Sequence, residues 1–314
     1  MEEKLIVLAR NKPKAPKEGG IKAYGKMWKK KSPLEKVVLI VMTILFAVYA
    51  FTLLYPIFWA LMNSFKTVEE YDLGNKFALP VEWTFDNYLA IFESAAETSD
   101  TKKNIFLSIW NSIWMSFLST ILGLIASSLT SYVVAKYKFK GSGVIYALVI
   151  FIQVIPLVGG ITGMYNLLRN QLDMFDKPWA IWPIWFGGFG FSFLMLYSAF
   201  KSVPWSYAES AFIDGANHFQ TFLHIMLPTV KPVLSSLFVV NFISAWNDYM
   251  TSYLYLPSYP PLALLVYQLR DDTARVSYPM YWAIVIVSII PTIILFISFQ
   301  KLIMENTTTG GLKG

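Results

Sequence analysis

The chain has 314 residues, of which 55% are hydrophobic and 15% charged, with a net charge of +6. A soluble domain carries roughly a quarter charged residues, so this composition indicates a polytopic membrane protein, whose Lys and Arg belong in cytoplasmic loops rather than on nucleic acid. The absence of cysteine excludes disulfides, thiolate metal sites and a cysteine nucleophile.

In chain order, residues 1–36 form a lysine-rich tail in which Pro13, Pro16, Gly19 and Gly20 oppose any packed element. The uncharged run 37–62 exceeds the roughly 7–15-residue apolar core of a signal peptide. It predicts an uncleaved first span, interrupted near its end by Pro56. Residues 63–104 are net acidic and too short for an enzyme domain; Thr84 to Leu89 predicts the start of an amphipathic helix. A second span covers 105–134, where Gly123, Ser127 and Ser131 recur every four residues and give one face fit for close helix packing. The third span, 143–168, holds Pro156, Gly159, Gly160 and Gly163. The fourth, 179–200, holds Pro183, Gly187, Gly188 and Gly190. Such breakers survive in membrane helices where protein or a wet cavity satisfies the freed backbone groups, so two readings stand, tight packing and a bend lining a pathway. A polar connection, 201–231, leads to a fifth span at 232–256. After a polar stretch at 257–280, the last span, 281–299, is broken by Pro291, and 305–314 is a short polar tail.

Six spans place both ends on one side. Eighteen of the 26 Lys and Arg lie in the segments that share that side, which makes the termini and the 201–231 connection cytoplasmic. The membrane domain is then 37–304.

Asp248 is the lone carboxylate in a predicted span, a costly position unless it is paired or hydrated. Asn241, Trp246, Asn247 and Tyr249 lie near it, as a pathway cluster or as buried hydrogen-bonding groups between helices. Trp110, Asn111 and Trp114 on the second span suit either a sugar face or the interfacial belt; Pro156 is a further candidate for the pathway. His218 and His224, six apart, match no metal motif, and no metal site is expected. No G-x-x-x-x-G-K-[ST] loop occurs, so the chain is expected to bind no nucleotide or other cofactor itself.

The remaining motif lies in the connection, Tyr207 to Pro228. Pro204 suits a helix's first turn and Ser202 its cap, while Gly215 permits a positive-φ bend between two short helices. Phe212, Ile213, Phe219, Phe222 and Leu223 are many large apolar residues for a free loop, and suit a docking surface or the lipid interface. The order Glu209-x-Ala211, three residues, Gly215, nine residues, Ile225-x-Leu227-Pro228 resembles the EAA loop of ABC-importer permeases, with Ser210 in place of the second alanine. Further likenesses are Tyr132-Val133-Val134-Ala135, Ile155-Pro156, Trp246-Asn247-Asp248-Tyr249 and the final Gly310-Gly311-Leu312-Lys313-Gly314. Together they are similar to the maltose-type carbohydrate permeases, specifically the six-span partner; the longer basic tail and the long, aromatic-bearing first outer loop depart from the pattern.

The resemblance implies an all-α membrane protein of six transmembrane helices, with a cytoplasmic coupling helix between spans four and five. It implies that Glu209 pairs with a basic residue of an ATPase, that Ala211 and Gly215 allow close approach and the bend, and that Ser210 and Asp214 belong to the same docking face. Ile225, Leu227 and Pro228 would close the loop, and the Gly310–Gly314 tail would reach toward the ATPase interface. Implied partners are a second, different permease subunit, two cytoplasmic ATPase subunits carrying ATP and magnesium, and a solute-binding protein outside that meets the 257–280 loop; the cargo would be a carbohydrate. Competing readings are an ABC permease for glycerol phosphate, peptide or amino acid, and a stand-alone carrier. The carrier calls for coupling-ion carboxylates and an internal repeat. An intramembrane enzyme would need convergent Ser, His or Asp groups in the spans.

Overall fold

The computed structural model describes residues 31–97, 104–155, 160–270 and 276–309, with side chains described except at 93–97, 180 and 301–309. Pro156, Gly159, Gly310–Gly314 and most of the basic tail therefore lie outside the described residues. The chain divides into two compact units, residues 1–59 and 60–314.

Helix α1, Pro33–Ser64, begins in the first unit and ends in the second. Its start is a reciprocal cap: the Glu35 amide donates to Ser32 Oγ at 3.3 Å, and the Ser32 amide donates to Glu35 Oε2 at 2.7 Å. The expected interruption at Pro56 does not occur; the helix runs through it. Proline removes one hydrogen bond and crowds a carbonyl, but a backbone in an apolar medium has no better arrangement than helix to fall back on. The last helix, α15 at Tyr278–Thr309, runs through Pro291 in the same way, where the sequence suggested a break.

In the second unit, α2 is Val68–Leu73 and α3 is Asp86–Glu97. Thr84 stays outside α3 and accepts from the Asp86 amide at 3.1 Å. This stretch is tied to the end of α1 by Asn87, whose Nδ2 donates to the Ser64 and Lys66 carbonyls at 2.9 and 2.8 Å. The central element is α4, Ile105–Lys136, capped by Asn104 and ended before Tyr137. Then follow α5 (Ser142–Val154), α6 (Gly160–Asn166), prolonged by a wide π turn to Gln171, α7 (Trp182–Trp185) and α8 (Phe191–Ser202). Short helices α9 (Ser206–Ile213), α10 (His218–Thr221) and α11 (Leu227–Thr229) precede α12 (Lys231–Trp246), α13 (Met250–Tyr255) and α14 (Leu262–Leu269). No strand occurs among the described residues.

Helix α4 packs mainly on α8 and α12, and α12 also on α15. The small face read from the sequence is the reason: Ser127 and Ser131 are buried, and a Cβ added to Gly123 would lie 3.5 Å from the Trp185 carbonyl. The expected span 179–200 is not one helix. It is broken between Trp185 and Phe191, where Gly188 presses on α4 so closely that a Cβ would meet Thr130 Cγ2 at 2.9 Å. Thr130 Oγ1 donates to the Gly188 carbonyl at 2.7 Å, satisfying a group the break releases. The expected span 232–256 is likewise split, at Asn247 to Tyr249, between α12 and α13.

Among the described residues, three helices are long and apolar enough to cross a membrane: Pro33–Ser64, Ile105–Lys136 and the Tyr278–Gln300 part of α15. A fourth is added if the pair His218–Thr229 and Lys231–Trp246, which meet at 78°, is taken as one broken span.

Candidate functional site

Two places on the second unit gather the candidate residues. The first is the connection around Gly215. Helix α9 starts at Ser206 with Trp205 at its cap position and no side-chain cap. Ser202 is not that cap: it lies in the last turn of α8 and donates to the Ala199 carbonyl at 2.7 Å. One face of α9, Ala208 and Ala211, is buried, whereas Glu209, Ser210 and Asp214 are exposed.

The helix ends in a Schellman turn. The Gly215 amide donates to the Phe212 carbonyl at 3.1 Å and the Ala216 amide to the Ala211 carbonyl at 2.9 Å. Gly215 has φ +86°, the left-handed region that the bend needs, and open space where a Cβ would stand. Its smallness therefore serves the backbone rather than any close contact within this chain. Asn217 and Gln220 then cap α10 reciprocally, each amide donating to the other's side-chain oxygen, at 2.8 and 2.9 Å.

Residues Phe222–Met226 form a π turn. Pro228, within α11, offers no amide and its ring crowds the carbonyl four residues back, and the wider turn just before it makes room. Leu227 and Pro228 do not themselves end the connection, since the helical run continues to Thr229 and the chain turns at Val230.

The apolar residues of the connection divide by role. Phe222 and Met226 are buried with Tyr132, Leu196, Phe200 and Ala208 in the cluster that fixes the connection to α4 and α8. Ile213, 86% exposed, and Phe219, 62% exposed, are turned out. Tyr207, Ser210, Asp214, Gln220 and Ile225 line a groove of about 640 Å³ on this surface. Beyond α4, the Tyr137 hydroxyl and His218 Nδ1 share a hydrogen bond of 2.8 Å, and Phe212 meets the His218 ring edge-on at 4.8 Å. His224 donates from Nδ1 to the Gln220 carbonyl at 3.1 Å. Among the described residues no three His, Asp or Glu side chains are grouped to hold a metal.

The second place is where α12 gives way to α13. A cavity of about 370 Å³ opens between α4, the α7–α8 break and α12–α13. Of the predicted pathway residues it takes in Asn241 and Asp248. Asn241 Nδ2 donates to Ser192 Oγ at 2.9 Å. Asp248 accepts from the Thr251 amide at 3.1 Å and from the Thr251 hydroxyl.

Trp246, Asn247 and Tyr249 line a different cavity, of about 300 Å³, toward α14 and α15. Trp246 is buried and donates from Nε1 to the Ser288 carbonyl at 3.1 Å, and Tyr249 stacks on Tyr267 at 4.6 Å. Asn247 donates to the Ile243 carbonyl at 2.8 Å. Asn111 is buried, donates to the Pro260 carbonyl at 3.2 Å and accepts from Trp114 Nε1 at 3.1 Å, while Trp110 is exposed. Asn111 and Trp114 thus brace the approach of α4 to the chain before α14.

The hydroxyls of Ser119, Thr120, Ser192, Ser244, Thr251 and Ser252 on the first cavity were not anticipated. For Ser119 and Thr120 the one local signal was the run of small residues along α4, which also serves packing; Ser192, Ser244, Thr251 and Ser252 had none.

An all-helical bundle with a bent, outward-edged connection and a polar cavity at a broken helix defines a membrane transport subunit. Residues 119–304 match the family described as binding-protein-dependent transport system inner membrane component, and the chain belongs to that family. It is 28% identical to the arabinooligosaccharides transport system permease protein of Bacillus subtilis, over 90% of this chain and 99% of the relative. It is 27% identical to the trehalose/maltose transport system permease protein of Thermococcus litoralis, over 90% and 98%. The fold superposes with a TM-score of 0.73 and 23% identity on a chain of a bacterial ABC transporter involved in the import of the acidic polysaccharide alginate, covering 86% of this chain and 98% of that one.

Proposed function

We propose that this chain is the membrane-spanning permease subunit of an ATP-driven carbohydrate importer, with oligosaccharides as cargo. The family match supports the transporter class, and the relatives named for arabinooligosaccharides, trehalose and maltose support the cargo. The chain crosses the membrane six times. Helices α5 with α6, α7 with α8, and α12 with α13 are the third, fourth and fifth crossings; at the α7–α8 break the freed Gly188 carbonyl is met by Thr130. Both termini and the Glu209 connection are cytoplasmic, in keeping with the Lys and Arg distribution.

The observation that carries the coupling role is the outward edge of α9. Glu209, Ile213 and Phe219 stand exposed on a connection whose inner face is locked into the bundle, so a force received there passes to α4, α8 and α12. The receiving element is the coupling helix; Ser210, Ala211, Asp214 and Gly215 shape it, Ile225, Leu227 and Pro228 lie on its return toward α12, and Glu209 pairs with a basic residue of an ATPase subunit.

Two such ATPases hold ATP and magnesium and hydrolyse the nucleotide, this chain having no catalytic part. The Gly310–Gly314 tail reaches their interface. A second, different permease subunit completes the pathway, and a solute-binding protein outside delivers the sugar. Closure of the ATPases shifts a two-state equilibrium between inward and outward access. Glu209→Lys tests this. The expected result in the assembled, reconstituted transporter is loss of substrate-stimulated ATP hydrolysis with membrane insertion intact. Normal uptake by that variant removes the coupling assignment.

A further inference from the structure

Family membership leaves the charge of the cargo open, since relatives and structural neighbours include proteins named for neutral and for acidic saccharides. The cavity between α4, the α7–α8 break and α12–α13 carries information on that point. Among the described residues, Asp248 is its one ionisable lining group, with no Lys, Arg or His on the lining. The Asp248 carboxylate forms no ion pair among the described residues; its partner there is Thr251 alone. The rest of the polar lining is neutral, made of hydroxyls and the Asn241 amide.

Trp185, half-buried and set edge-on to Trp114 at 5.9 Å, also lines the cavity, and an indole suits the CH groups of a sugar ring.

We propose that this cavity is a saccharide subsite selective for uncharged over anionic sugars, with Asp248 as the charge filter. The proposal rests on the importer reading above. A carboxylate accepts hydrogen bonds from sugar hydroxyls and donates none, so a neutral sugar can fill the remaining acceptor positions of Asp248. A uronate or sulfonate brought within about 5 Å of it meets a like charge. At an effective dielectric of about 20, and with water screening on the open side, that repulsion amounts to roughly ten- to a hundredfold in affinity. The same sign of charge favours amino sugars that carry a proton.

The test uses the purified full transporter in nanodiscs without its solute-binding protein, so that the membrane site alone is read. Saturation-transfer NMR, suited to weak binding, compares maltotriose with trigalacturonate. Maltotriose is expected to bind at least about tenfold more tightly. Asp248→Asn, which keeps an acceptor but removes the charge, is expected to narrow the gap to within about threefold. Equal binding of both probes to the wild-type protein overturns the proposal, as does an unchanged gap in Asp248→Asn. Binding of neither probe, while the binding protein still stimulates ATP hydrolysis, overturns the subsite and leaves the importer reading standing. Failure of that stimulation in the wild-type complex counts against the importer reading instead.

Discussion

The two ends of helix α12 are built on opposite plans. At its start, the connection from Ser206 to Val230 is closed inside, with Phe222, Met226 and Phe200 packed together, and apolar outside, where Ile213 and Phe219 stand clear. At its finish, near Asp248, the inside is open and hydroxyl-lined. A sealed interior behind an exposed apolar and acidic edge fits the proposed docking role, in which the edge would transmit force without yielding. A polar hollow beside a broken helix suits a small hydroxylated solute, which needs replaceable hydrogen bonds rather than stiffness.

That contrast breaks first if the closed end tolerates damage. Phe222→Ala is expected to cost about 3–5 kcal/mol through lost burial and the void it leaves, seen as a large fall in thermal midpoint and in coupled ATP hydrolysis. Gly188→Val, at the α7–α8 break, drives a side chain into Thr130 and is expected to cost about 1–3 kcal/mol from overpacking, read as a thermal shift. Gly215→Ala forces a Cβ onto a left-handed residue with open space around it. The cost is roughly 1–2 kcal/mol of backbone strain, which should appear mainly as weaker coupling, since nothing packs there. Tyr137→Phe removes one hydrogen bond to His218, worth about 0.5–1.5 kcal/mol, and should loosen the connection measurably by hydrogen exchange around Asn217. At the open end, Ser244→Ala is expected to move stability by less than about 0.5 kcal/mol, as exposed substitutions do; a larger loss there would erase the distinction.

Long apolar runs made α1, α4 and α15 legible in the sequence, because little but a helix satisfies so many amides away from water. The breakers were visible but their effects were not. Pro56 and Pro291 leave their helices continuous, while the glycines from Gly187 to Gly190 stop one. The difference lies in what meets the freed carbonyl, and Thr130 does so from 58 residues away. Local chemistry at Gly215 was readable, since a positive φ has few residue choices. The expected cap at Ser202 was not right because the same hydroxyl serves the helix before it. The cavity at Asp248 was half legible: its carboxylate stood out as an anomaly in a span, whereas its wall joins residues with no pattern between them, such as Ser192 and Asn241. The Trp246-Asn247-Asp248-Tyr249 run read as one cluster and proves to face two cavities, because the helix ends inside it.

The 78° turn at Val230 joins a short arm, His218–Thr229, to the long arm Lys231–Trp246. A push along the short arm has little component along the long one, so it arrives as torque about the elbow. Such a joint would swing the far tip of α12, where Asp248 sits, sideways rather than ramming the helix through the bilayer, and a small shove at one end becomes a wide sweep at the other.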